Sequence, residues 1–521
     1  MAENLVKNTL TNYLVVAVRF IQGILVTRWS IIYLGTENYG LWAVLWTVFA
    51  YSLLVDFGLG ASAQKYTGMR IFRSDIDRYN RVISAVLAFY IAMAVLILLV
   101  SFALSFCVGT LFNVSSPEKI AYCHSAFLIF AVGSALTFPT TVFPEIAIGL
   151  QKLYLRNYVN TVSKIIELFA TLLLFKLGGQ VRSLTVLVLG LSFLSNIVIG
   201  IVVCREIPGF HLTLRIGLPI YREIVKFSGF VYIVSIARLI MNRSSRLIIS
   251  FFLGLPAAGI FHQASRLGDF CYMGAAQYQE NVRPVTAKLH GECKTAELAE
   301  FILRSLKINL GMGIFFMLPS FIFAAEWFRF LFHVGNPEVF FLAKLFLVSV
   351  FLSITLRQGM QGYLIMADHH RLLSYATIVE AILMVGLNCW LIRPFGLAVI
   401  LINSMTLQTF ITLTVLLPVT LKSLHLPLRR VLFHAWLPMI AAALPGTAAA
   451  VEFKQYFEGK LSDFWLAFCG SSICCGLFLV TVWLFTLNGA ERAELRTKVI
   501  ARLPARFRPN RGNVSDRPPG R

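Results

Sequence analysis

Fourteen long apolar stretches constrain this chain more than any other feature. They lie at roughly 11–33, 41–63, 82–106, 121–147, 157–177, 183–203, 228–252, 259–281, 308–329, 340–365, 373–392, 396–418, 435–451 and 464–487. A helix needs about 20 apolar residues to cross a bilayer. The runs are continuous rather than alternating, which excludes a membrane β-barrel. The weakest are 259–281, which is polar, and 435–451, which is short. Apolar residues make up 58% of the chain and charged ones 14%, against about 25% charged in soluble domains. A soluble enzyme, a disordered chain and a secreted disulfide scaffold are therefore excluded. The fold class expected is all-α and polytopic. Nine scattered cysteines form no CxxC pair and read as small apolar residues.

The net charge of +21 finds its explanation in topology, with no nucleic-acid partner required. Lys and Arg collect in short cytoplasmic loops. With the N-terminus inside, thirty of the 46 basic residues fall in inside loops or termini, seven outside and nine within spans. Both termini are thus expected in the cytoplasm, with an even number of spans. The first run is too long for a signal peptide and has no small-residue cleavage site. The basic tail at 489–521 is expected to lie against anionic membrane lipid. Outside loops are short, so no large outer domain is expected.

The chain repeats itself. Leu34-Gly35 ends the first run, and Tyr39-Gly40 begins the return. Leu253-Gly254, followed by Ala258-Gly259, does the same between the seventh and eighth runs, about 219 residues on. The expected plan is a first lobe at 1–215 (spans 1–6), a second at 216–420 (spans 7–12), an extra pair at 421–488 and the tail. Two six-span repeats fit a transporter with its path between the lobes.

The segment Tyr33-Leu34-Gly35-Thr36-Glu37-Asn38-Tyr39-Gly40-Leu41-Trp42, followed by Asp56-Phe57-Gly58-Leu59-Gly60, resembles the opening of polysaccharide exporters. Leu150-Gln151-Lys152, Phe251-Phe252-Leu253-Gly254 and Ala264-Ser265-Arg266-Leu267 are similar to later segments of the same family. The family is the multidrug/oligosaccharidyl-lipid/polysaccharide exporter superfamily, and the similarity is greatest to its Wzx-type O-antigen flippases, over about residues 5–420. The resemblance implies a flippase for a lipid-linked oligosaccharide of O-antigen or lipopolysaccharide synthesis, working by alternating access in a bacterial inner membrane. An undecaprenyl-type lipid-linked sugar is the implied substrate. A proton or sodium gradient is the implied energy source, and a polymerase or chain-length regulator the implied protein partner. No bound cofactor or metal is expected. Related proteins often carry an acid late in span seven. Here Asn242-Arg243-Ser244-Ser245-Arg246-Leu247 has none, so that coupling site does not carry over.

Arg19, Arg28, Arg238, Arg243, Arg246, Arg266 and Arg357 fall inside predicted spans. Each would cost about 2.5–3.5 kcal/mol facing lipid at mid-membrane, so they must face helices, a wet cavity or the interface. On span seven, Arg238, Asn242 and Arg246 step round by about 40° each, with Ser235, Ser245 and Arg243 in or near the arc. His262, Arg266, Asp269, Gln277 and Glu280 form a similar stripe on span eight. Two such stripes suggest a hydrated cavity wall, while pairing or snorkelling would serve structure alone. Arg19 and Arg28 point to opposite sides of span one. Arg357, with Gln358 and Gln361, lies near the inner end of span ten. Substrate-binding candidates are thus Arg238, Asn242, Arg243, Arg246, Arg266, Arg19, Arg28 and Arg357; ion-coupling candidates are Asp56, Glu145, Asp269 and Glu380. Lys164 and Glu167 read as an internal pair, and Asp368-His369-His370 as a solvated loop rather than a metal site.

Two rival functions remain open. A multidrug or small-solute antiporter of the same superfamily would favour an acidic cavity. A membrane-embedded polymerase or glycosyltransferase would need a sizeable loop with catalytic residues, and no nucleotide-binding Gly-x-x-x-x-Gly-Lys motif occurs.

Overall fold

The computed structural model describes residues 2–50, 59–68, 74–150, 152–213, 218–366, 370–487, 489 and 492. Among them there is no strand, and twelve helical runs are long and apolar enough to cross a membrane. Two of the twelve, Leu14–Phe49 and Arg243–Ala275, are each broken by a glycine of positive φ. Gly35 has φ 72° and Gly254 φ 85°, a region other residues adopt at a cost. Each run is therefore two helices meeting at a corner, where a Leu-Gly turn was expected. The polar run, as far as Ala275, belongs to Arg243–Ala275, the most buried of these runs, and His262, Gln263 and Ser265 are buried within it, shielded from lipid.

The two corners pack on each other. A Cβ added to Gly40 would stand 2.1 Å from the Leu255 carbonyl oxygen, and one added to Gly259 2.1 Å from that of Thr36. Thr36 and Leu255 occupy equivalent places in the 219-residue repeat, as do Gly40 and Gly259. The two corners thus meet in a reciprocal contact, each supplying one glycine and one carbonyl.

Elsewhere the helices follow local chemistry. Span four breaks at Thr141, between Pro117–Thr140 and Val142–Gly149, just after Pro139. Glu145 stands in the first turn beyond the break, packed where Gly60 leaves room. Span ten runs from Pro337 to Met366 through a π-helical stretch, Ser353–Gln358. Further π-helical stretches occur at Thr412–Leu416, Leu432–Trp436 and Val482–Thr486.

Ion pairs at the helix ends fall into two sets. Lys119–Glu37 (2.9 Å), Arg329–Asp463 (3.0 Å) and Lys454–Glu326 (2.9 Å) join ends on one face. Lys152–Glu206 (2.5 Å) and Arg430–Glu300 join ends on the other. Among the described residues no ion pair links the two faces.

Candidate functional site

The structure holds a cavity of about 790 Å³, within the range of small-molecule sites, about 300–1,000 Å³. Span two contributes one turn, Trp42, Ala43 and Trp46. Spans seven, eight, ten, eleven and twelve supply the rest.

One wall is cationic. Arg243 and Arg246 reach it from span seven, and His262, Arg266 and Asp269 from span eight. Positions 262, 266 and 269 share a helix face by their three- and four-residue spacing. Arg266 does not pair with Asp269. Its Nε donates to the Tyr39 hydroxyl (2.8 Å) and its other nitrogen lies 2.8 Å from His262 Nε2. A guanidinium can only donate, so His262 Nε2 accepts and the ring is neutral, with its proton on Nδ1. The Tyr39 and His262 rings stack at 4.9 Å. Asp269 takes a long hydrogen bond from Ser265 (3.4 Å). Among the described residues no carboxylate pairs with Arg243 or Arg246. Arg246 Nε and His262 Nδ1 are buried with no hydrogen-bond partner among the described residues.

A second wall is neutral and polar. Ser349 and Ser353 on span ten face it, with Ser404 and Gln408 on span twelve. Tyr272 also lines the cavity and accepts from Gln358 Nε2 (2.7 Å). Sequence reasoning missed these residues and the tryptophans of span two. Each sits singly in an apolar run, and only the four-residue spacing of Ser349/Ser353 and Ser404/Gln408 hinted at a shared face.

The other candidates stand elsewhere. Arg357 does not line this cavity. The π-helical turn directs it to Glu380 of span eleven, 2.5 Å away, with both side chains almost fully buried. The partner, on the next span, neutralises it inside the bundle, and Glu380 is likewise engaged. Arg28 is not on the cavity either; it reaches His333 (2.8 Å) and the Phe330 carbonyl (3.4 Å) in the link between spans nine and ten. Arg19 is exposed on span one and does not line the cavity. Lys164 pairs with Glu167 (2.6 Å), which also accepts from Gln22 (2.8 Å). Asp56, Asp368 and His369 lie outside the described residues, as do the side chains of Ser235, Arg238, Asn242, Gln277, Glu280 and His370.

Comparison with known proteins extends these observations. A family model described as polysaccharide biosynthesis protein matches residues 2–290. No curated protein matches. The chain is similar to a solved structure described as the lipid II flippase MurJ in an inward closed conformation, at 12% identity and TM-score 0.69, over 95% of this chain and 99% of that one. It is similar to an inward-facing multidrug resistance MATE family transporter of the MOP superfamily, at 16% identity and TM-score 0.62, over 78% of this chain and 94% of that one. The outward-facing form of such a transporter fits less well, at 16% identity and TM-score 0.54, over 81% of this chain and 96% of that one. At these identities the likeness is one of fold. With the family model spanning more than half its length, the chain belongs to the polysaccharide biosynthesis protein family and carries the fold of the MOP superfamily.

Proposed function

We propose that the protein is a flippase, of the Wzx type, that moves a lipid-linked oligosaccharide across the bacterial inner membrane by alternating access. The observation that carries this is the cationic wall, where Arg246 Nε and His262 Nδ1 are buried with no hydrogen-bond partner among the described residues. A lipid-linked sugar has an apolar tail, an anionic phosphate and many hydroxyls. Each unpaired hydroxyl costs several kcal/mol, roughly, in hydrocarbon. A wet cavity removes that cost while the tail stays in lipid. Arginine suits the phosphate because it stays charged and donates in a fork.

The contact between the Gly35 and Gly254 corners, and the better fit to the inward-facing form, support a state closed on the corner side. Parting that contact as the lobes rock would open the cavity on the corner side. Energy would come from a proton or sodium gradient; one charge crossing about 100 mV supplies about 2.3 kcal/mol. Cytoplasmic termini follow from the basic-residue distribution. A pump for cationic drugs is disfavoured, because three arginines and a neutral histidine face a single carboxylate.

The test is deletion in the native host, with surface polysaccharide and lipid-linked intermediates analysed together. Loss of surface polymer with single units held on their carrier in the inner leaflet is expected, and Arg246→Ala, at normal protein level, should reproduce it. Unchanged polysaccharide with greater sensitivity to cationic drugs would move the protein to the drug-efflux class.

A further inference from the structure

We infer that the cavity holds a separate subsite for a pyranose ring, with Trp46 as its stacking platform and Gln408, Ser404, Ser349 and Ser353 as its hydroxyl-reading wall. It rests on the flippase proposal, because the same cavity holds the phosphate.

Trp46 lines the cavity with 37% of its surface uncovered, whereas Trp42, one turn earlier, is 8% exposed. Its indole is braced from behind. Trp42 meets it edge-on at 5.7 Å and Phe130 at 5.1 Å, with interplanar angles of 87° and 89°. Phe130 is itself stacked on Phe49 at 4.7 Å. A ring held by two perpendicular neighbours, with over a third of its surface uncovered, loses little entropy on binding. Pyranose rings carry C–H groups on one face and hydroxyls at the rim. Such rings settle on an aromatic face as other apolar surfaces do and direct their hydroxyls sideways.

Neutral hydrogen-bonding groups on another wall are suited to those hydroxyls. Ser349, Ser353, Ser404 and Gln408 carry no charge, so they neither compete for the phosphate nor repel it. Gln408 Nε2 is buried with no hydrogen-bond partner among the described residues. A site built to hydrogen-bond a hydroxyl rejects analogues that lack it, because its own groups are left unpaired. Anion binding and sugar reading are thus assigned to different helices: spans seven and eight for the charge, spans two, ten and twelve for the ring.

The test uses the full-length protein in lipid nanodiscs and two synthetic probes, farnesyl diphosphate and its N-acetylglucosaminyl conjugate. Wild-type protein should bind the sugar-bearing probe more tightly. Trp46→Ala should weaken that probe about three- to tenfold and leave the sugar-free probe unchanged. Trp46→Phe should restore most of the difference. Gln408→Ala, which removes no packing from the aromatic cluster, should repeat the selective loss and keeps the test open should Trp46→Ala fold poorly. Equal binding of the two probes by wild type, or an equal loss for both in Trp46→Ala and Gln408→Ala, would overturn the subsite. A wild-type protein that binds neither probe, or an Arg246→Ala variant that binds both as wild type does, would instead overturn the flippase proposal beneath it.

Discussion

Gly40 and Gly259 each lie against a carbonyl of the opposite corner, Gly40 against Leu255 and Gly259 against Thr36. The two contacts are the same contact seen from either lobe. Neither glycine can gain a methyl without pushing the corners apart. Gly40→Ala and Gly259→Ala should each destabilise the protein by about 1–3 kcal/mol. The double variant should cost less than the two together, because one separation relieves both clashes. Unfolding of the three variants in mixed micelles checks this; full additivity would mean that the corners yield independently.

The Arg357–Glu380 pair is buried on both sides. Glu380→Gln leaves an uncompensated guanidinium inside the bundle and should cost about 3–5 kcal/mol. Replacing both partners, as Arg357→Met with Glu380→Leu, should recover most of that loss. A double variant as unstable as the single one would show that the charges are held by groups beyond each other.

Tyr39→Phe removes the acceptor for Arg266 Nε and should destabilise the protein by about 1–3 kcal/mol. A double-mutant cycle with Arg266→Ala should give a coupling of about 0.5–3 kcal/mol. Independent effects of the two changes would place the hydroxyl outside the network that orients the cationic wall.

Sidedness can be read chemically. In a background lacking the nine native cysteines, Lys119→Cys and Asp463→Cys should react with a membrane-impermeant maleimide added to intact spheroplasts. Lys152→Cys and Glu300→Cys should react only after permeabilisation. The reverse pattern would invert the proposed orientation while leaving the helix pairing intact.

The helices were legible because a membrane demands long apolar runs, and no other pattern imitates those at 82–106 or 183–203. The corners were legible because glycine is needed at Gly35 and Gly254 on backbone grounds alone. Much of the cationic wall was legible as well, since Arg246 and Arg266 are conspicuous in lipid-sized runs. What escaped was whatever depended on contacts between distant helices. Arg357 looked like a cavity cation because its neutralising carboxylate belongs to another span. Trp46 drew no notice because a tryptophan in an apolar helix gives no sign of which side is bare. Ser353 and Gln408 were hidden for the opposite reason, as small or neutral groups that a helix tolerates anywhere.

The π-helical stretches of spans ten, twelve, thirteen and fourteen carry a mechanical consequence. A π turn holds one residue more than an α turn while keeping its main chain hydrogen-bonded. Passing that extra residue along a helix turns the intervening segment by about 100° without baring a peptide group to hydrocarbon. All four described stretches belong to the second half of the chain. A register shift of that kind is therefore open to the helix that carries Ser353 and to the one that continues from Gln408, both on the neutral wall of the cavity.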